Sequence, residues 1–190
     1  VLYLASQSPR RRELLRQIGV VFDVLDADVP EQREPGEPAT DYVSRVAREK
    51  AGAGLLQVVA IPGAVVLGAD TEVVLDDQVF GKPADAADAE RMLRRLSGRA
   101  HRVISTVWAV AAGREERASS ESTVEFAELS DAAIAAYVAT GEPFGKAGAY
   151  AIQGRAAAFV RRLDGSYSGV MGLPLYETAA LLQRFGIGQT

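Results

Sequence analysis

Ser6-Gln7-Ser8-Pro9-Arg10-Arg11-Arg12 brings two hydroxyls, three guanidinium groups and a helix-opening proline into one short stretch. Those groups suit an anion. The stretch follows the apolar run Val1-Leu2-Tyr3-Leu4-Ala5, so it predicts a buried strand, a tight serine turn, and a helix starting at Pro9 with Ser8 as N-cap. Three cations in a first helical turn oppose the positive end of the helix dipole, at about 0.3–1 kcal/mol for each exposed charge. That placement makes sense where a polyanion seats among the arginines and the free N–H groups of the turn. The alternative is that the arginines spread into solvent.

Asp70 closes the unbroken apolar run 64–69, which suits a strand covered on both sides. A carboxylate at the carboxyl end of such a strand can ligate a hard cation or take a proton from an attacking water. It can equally be a turn aspartate bonding its neighbour's backbone. Lys82, in Gly81-Lys82-Pro83, offers a movable positive charge to phosphate oxygens, as do Lys50 and Lys146. Surface solvation is the competing reading for all three lysines. Glu31 lies in an acidic loop and is either a second metal ligand or a solvated side chain. The hydroxyls of Ser6 and Ser8 can bond phosphate oxygens.

Other chemistries lack their parts. There is no P-loop, and Gly52-Ala53-Gly54 lacks the third glycine of a dinucleotide fingerprint. With one histidine, His101, and no cysteine, neither a zinc cage nor thiolate chemistry can be built, and His101 reads as a locally packed or capping side chain. What remains is an inventory for holding phosphates and one hard cation, with water as nucleophile.

The elements that must position these groups alternate between strand and helix. Residues 21–25 read as a second strand, 28–37 as a polar loop, and 41–58 as a helix capped by Thr40 with Tyr42, Val46 and Ala47 inward. After the 64–69 strand, 72–75 pairs with 78–80 around Asp76-Asp77. A helix over 85–96 carries Ala89, Met92, Leu93 and Leu96 as its apolar stripe and stops at Ser97-Gly98. Strands follow at 102–111 and 121–126, a helix from Ser130 to Thr140, strands at 149–153 and 157–163, and a last helix from Pro174 to about Phe185. The pattern predicts a mixed α/β fold with helices on both sides of a central sheet.

Bulk composition agrees. The chain has 190 residues, 48% hydrophobic and 24% charged, which suits one sizeable globular domain. A net charge of −4 argues against a general nucleic-acid or anionic-membrane binder, so the positive charge that matters is local. No apolar run approaches the ~18 residues of a membrane span. The opening residues lack the layout of a secretory signal, and the absence of cysteine fits a reducing cytoplasm.

Seven blocks in order carry a resemblance. They are Leu4-Ala5-Ser6-Gln7-Ser8-Pro9-Arg10-Arg11, Ala47-Arg48-Glu49-Lys50-Ala51, Gly68-Ala69-Asp70-Thr71, Gly81-Lys82-Pro83, Leu96-Ser97-Gly98-Arg99-Ala100-His101, the run from Lys146 to Gly154, and Gly172-Leu173-Pro174-Leu175. Together they span nearly the whole chain and resemble the Maf family. The departures, Arg12 and Gly169-Val170-Met171, fall outside the positions assigned to chemistry.

The resemblance implies a single domain, related to inosine-triphosphate pyrophosphatases of the Ham1 kind, with an elongated mixed sheet in two lobes around a cleft. It implies a hydrolase that splits a nucleoside triphosphate into monophosphate and pyrophosphate with a divalent cation, Mg²⁺ or Mn²⁺, held by Glu31 and Asp70. Asp70 would be the proton acceptor, with Glu31 and Lys82 as its catalytic companions and Ser8, Arg10 and Lys50 on the substrate. Arg11, Thr71 and Gln153 look like the set of the dTTP/UTP branch. An amide at Gln153 presents both a donor and an acceptor to a pyrimidine edge. By likeness the chain is compatible with a homodimer. The rival reading is a nucleotide-binding regulator of septum formation that does not turn over.

Overall fold

A computed structural model describes residues 1–188. The chain forms β1 (Leu2–Ala5), α1 (Pro9–Gln17), β2 (Asp23–Leu25), α2 (Ala39–Gln57), β3 (Val65–Leu75), β4 (Gln78–Phe80), α3 (Ala86–Leu96), β5 (Ala100–Ala111), β6 (Arg114–Phe126), α4 (Asp131–Val138), β7 (Val160–Asp164), α5 (Tyr167–Met171) and α6 (Leu175–Arg184). Among the described residues these make a mixed sheet of order β2-β1-β3-β5-β6-β7, with β4 paired to β3. The expected mixed α/β class is what the chain adopts. Its contacts divide it into two compact units, each with its own core.

The first unit comprises Val1–Thr71, Ser105–Ser120 and the described residues from Gly172 on. Its strands β2, β1 and β3 run parallel, with Tyr3 opposite Asp23 and Leu4 opposite Leu67. Such pairing needs crossovers, supplied by α1 and α2. Tyr3, Ala5, Ala51, Val58, Val66 and Val110 form its core. The helix α2 lies close on β3 because small residues face it. A β-carbon at Gly68 would run into the Ala47 carbonyl oxygen and the Ala51 amide nitrogen of α2. Ala47, Lys50, Ala51 and Gly54 follow helical spacing, and all four are buried. The approach that excludes a side chain at Gly68 also delivers Lys50 to β3.

The second unit comprises Glu72–Ile104 and Glu121–Met171. Val73–Leu75 pairs antiparallel with β4 through Asp76 and Asp77, both at positive φ as a type I′ hairpin turn requires. The α3 stripe Ala89, Leu93 and Leu96 is buried as its spacing predicts, and Asp85 caps the helix by accepting from the Asp88 amide. Gly98, at φ +68°, ends it. The Ser130 side chain caps α4 by accepting from the Ala133 amide.

Several expected elements differ. The 64–69 strand and the 72–75 strand are one, β3, so Asp70 lies inside a strand and does not end it. Residues 149–153 form no strand. Gly148 and Ala149 both take positive φ there, which breaks the extended backbone that the alternating Ala and Ile suggested. Residues 155–159 make a 3₁₀ turn, and β7 starts only at Val160. Thr40 lies within α2, whose N-cap position is Pro38. The short helix α5 had no sequence signal.

His101 is buried in the second unit. Its Nε2 lies 2.7 Å from the Tyr150 hydroxyl, and its ring meets Phe126 and Tyr150 edge-on. Desolvation pulls its pKa down to about 4, so the folded chain holds it neutral while the unfolded chain protonates it near its ordinary value of about 6.5. The unfolded state then binds more protons between those values. Stability from this group is complete above about pH 6.5 and is lost as pH falls toward about 4, by about 3 kcal/mol in all. Urea unfolding of the wild type against His101→Gln over that window should show the wild type losing about this much more. Parallel pH profiles would refute it.

Candidate active site

The expected site residues of the first unit gather where β1 ends. β1 stops at Ala5, just beyond the Leu4–Leu67 pair, while β3 continues to Leu75. Asp70 and Thr71 therefore sit on β3 beyond the end of its neighbour, level with the turn that opens α1. Asp70 thus lies past the end of β1 and not at the end of β3, which corrects the sequence expectation.

Alternation along β3 puts Gly68 and Asp70 on one face, the face that α2 covers. Lys50 of α2 donates from Nζ to Asp70 Oδ1 at 2.9 Å and lies 2.7 Å from Glu31 Oε1. Lys50 and Asp70 are buried, and Glu31 retains partial exposure. One ammonium thus holds two carboxylates. The other Asp70 oxygen, Oδ2, is buried without a hydrogen-bond partner among the described residues. An orphaned buried carboxylate oxygen is costly, and in a native structure it points to a ligand or a catalytic duty.

Thr71 belongs to a second set. Arg11 Nε donates to the Gly172 carbonyl at 2.8 Å, Nη2 lies 3.4 Å from Thr71 Oγ1, and Nη1 lies 3.5 Å from Ser6 Oγ. Ser6 Oγ also accepts from the Ser8 amide at 3.2 Å. Thr71 Oγ1 bonds Ser105 Oγ and the Gly172 carbonyl. Ser8 occupies the N-cap position of α1, but its side chain makes no capping bond. Arg10 is half-buried, and its pKa is lowered first by that burial and then by the charge of Arg11. Two guanidinium groups that repel each other at a helix N-terminus are electrostatically completed by an anion.

Asp70 and Thr71 are consecutive, as are Arg10 and Arg11, and Thr71 is hydrogen-bonded to Arg11. The arginine turn and the acid therefore share one neighbourhood. Lys82 and Gln153 are exposed residues of the second unit. Lys146 donates from Nζ to the Glu142 carbonyl at 2.7 Å, which gives it a local structural role. An open cavity of about 930 Å³ runs along α2 and the turn joining β5 to β6, past Arg48, Trp108 and Arg117, and none of the expected site residues lines it.

Sequence reasoning missed Ser105 and Gly172 as site contributors. Ser105 is one of two adjacent hydroxyl residues, with Thr106, in a largely apolar strand, and nothing local distinguishes it. Gly172, at φ +131°, acts through its carbonyl.

Among the described residues no group of three or more acidic or histidine side chains could by itself hold a metal ion. Two carboxylates that meet at the Lys50 ammonium, one with an unpartnered oxygen, nevertheless fit a hard cation that takes its remaining ligands from phosphate oxygens and water. No helix among the described residues is long and apolar enough to cross a membrane.

The Maf family profile, described as Maf-like protein, matches residues 1–185. The chain is 61% identical over 188 residues to a protein of Xanthomonas axonopodis pv. citri named dTTP/UTP pyrophosphatase, covering 98% of this chain and 99% of that protein. Proteins of the same name from Ralstonia nicotianae and Aromatoleum aromaticum are 57% and 54% identical, covering 98% and 97% of this chain and 94% and 95% of theirs. The solved structure of the Staphylococcus aureus Ham1 protein aligns at 13% identity over 67% of this chain and 72% of that chain, with a TM-score of 0.44. With its profile matched almost end to end and relatives this similar over nearly all of their length, the chain belongs to the Maf family.

Proposed function

We propose that this protein is a nucleoside triphosphate pyrophosphatase that cleaves dTTP and UTP to the monophosphate and pyrophosphate. The names of its relatives supply the substrates. The observation that carries the chemistry is the Asp70 carboxylate, buried with one oxygen on Lys50 and the other unpartnered, one residue from a threonine bonded to the arginine turn.

In this reading Arg10, Ser8 and the amides opening α1 hold phosphate oxygens, and Arg11 aligns them. Asp70 Oδ2 accepts a proton from the water that attacks the α-phosphorus, while pyrophosphate leaves. Lys50 holds the Asp70 carboxylate in place through its bond to Oδ1. Lys82 and Gln153 are assigned from the family resemblance, the first to charge neutralisation and the second to the pyrimidine edge. Glu31, with phosphate oxygens, would hold a divalent cation, Mg²⁺ or Mn²⁺, which when bound polarises the phosphoryl group and offsets its charge; Asp70 would join it as a ligand only in place of its role as base. Fixed positive charge around a triphosphate provides most of the rate, because phosphoryl transfer is chiefly positioning and electrostatics.

A panel of nucleoside triphosphates offered with Mg²⁺ or Mn²⁺ tests the reading. Pyrophosphate should be released from dTTP and UTP in preference to purine nucleotides. Release of orthophosphate would refute attack at the α-phosphorus, and tight binding without turnover would favour a sensor of nucleotides.

A further inference from the structure

Ser105 is 1% exposed, and its Oγ lies within a short hydrogen bond of Thr71 Oγ1. Thr71 Oγ1 faces three partners: Arg11 Nη2, Ser105 Oγ and the Gly172 carbonyl. Proton counting orders them. Arg11 can only donate, so Thr71 accepts from it, and a carbonyl can only accept, so the single Thr71 proton goes to Gly172 in the arrangement that satisfies all three. Ser105 must then be the donor to Thr71. The Gly172 carbonyl receives both Thr71 and Arg11 Nε, which fixes the guanidinium plane from two sides. On its far side the same guanidinium reaches Ser6 Oγ, which also takes the Ser8 amide. A continuous chain of hydrogen bonds therefore runs from β5 through β3 to the turn opening α1.

We infer that Ser105 is a positioning residue, whose hydroxyl orients Thr71 and, through Thr71, the Arg11 guanidinium at the anion-binding turn. This rests on the reading of that turn as the triphosphate seat. Without the Ser105 donor, the Thr71 proton has no fixed direction, and the long Arg11–Thr71 bond loses the alignment that sustains it. Arg11 keeps its stronger bond to Gly172 but can swing about it. The chemical step at Asp70, on the other face of β3, is untouched. The consequence is a loss of phosphate grip with the chemistry preserved.

The test compares wild type, Ser105→Ala, Thr71→Val and the double variant, with Ser105→Cys as a variant that retains a weak donor. Inorganic tripolyphosphate binding is measured by calorimetry, and kcat and KM by pyrophosphate release from dTTP. Ser105→Ala should weaken tripolyphosphate binding and raise KM by about tenfold, the size of one hydrogen bond to a charged group, with kcat changed less than about twofold. Ser105→Cys should fall between. Ser105→Ala should add nothing further once Thr71 is Val, since the pathway runs through that hydroxyl. Unchanged binding, additive effects in the double variant, or equal losses in kcat and thermal stability would each overturn the inference. Wild type that binds tripolyphosphate but releases no pyrophosphate would overturn the enzymatic reading and leave this inference to be decided by the binding data.

Discussion

Asp70→Asn is expected to cut pyrophosphate release from dTTP by about 10²–10⁴-fold, the range typical of losing a positioned general base. The substitution is nearly isosteric. The amide oxygen can still accept from Lys50 Nζ, which retains Glu31 as its counter-charge, so the fold should persist. What disappears is the ability of the second position, now an amide NH₂ in place of Oδ2, to take a proton. Because the arginine turn is intact, the loss should appear in kcat with KM changed little, the signature of an interaction made in the transition state. Tripolyphosphate affinity should likewise be retained. A variant with wild-type kcat would place the base elsewhere, and one whose defect lay wholly in KM would make Asp70 a binding residue.

The parts of this site that sequence reveals are those with local chemistry. A proline after a serine, preceded by an apolar run, marks the α1 turn, and three arginines there conflict with the helix dipole unless an anion answers them. Asp70 is legible as an acid following buried strand residues, but the sequence places it at a strand end where the structure has it inside β3. Asp70 and Thr71 interrupt the apolar run, so a single strand from Val65 to Leu75 reads as two with a break. The break arises because Asp70 is buried despite its charge, which a hydrophobicity pattern counts as exposed.

Tertiary partners were the least legible. Lys50 lies on a helical face with Ala47, Ala51 and Gly54, and only the close approach at Gly68 shows that this face meets β3 and not solvent. Ser105 was invisible for the complementary reason, since its role depends on the strand beside it. Residues 149–153 failed differently. Alternating small and apolar residues satisfied the period of a strand, but the backbone turns at Gly148 and Ala149. Pattern reports which side chains are buried, and here burial was achieved without extended structure.

Lys50→Met should be the most destabilising of the site substitutions, by about 3–5 kcal/mol, because it removes one member of a buried ion pair. Asp70 is 4% exposed, so its carboxylate would lose its cation with little solvent to replace it. Glu31 keeps partial exposure and can rehydrate. The surface pair Arg48–Glu115, by contrast, is about half-exposed on both sides and should contribute little to stability. The diagnostic is the double variant. If the cost of Lys50→Met is the stranded charge of Asp70, then adding Asp70→Asn should restore much of the stability, since a neutral pair of similar volume carries no such penalty. Urea unfolding of the four proteins reads this as a coupling energy. A double variant less stable than Lys50→Met alone would show that the lysine stem, not its charge, supports the packing of α2 on β3. In that case the ammonium bridging Glu31 and Asp70 would be kept for catalysis at no benefit to the fold.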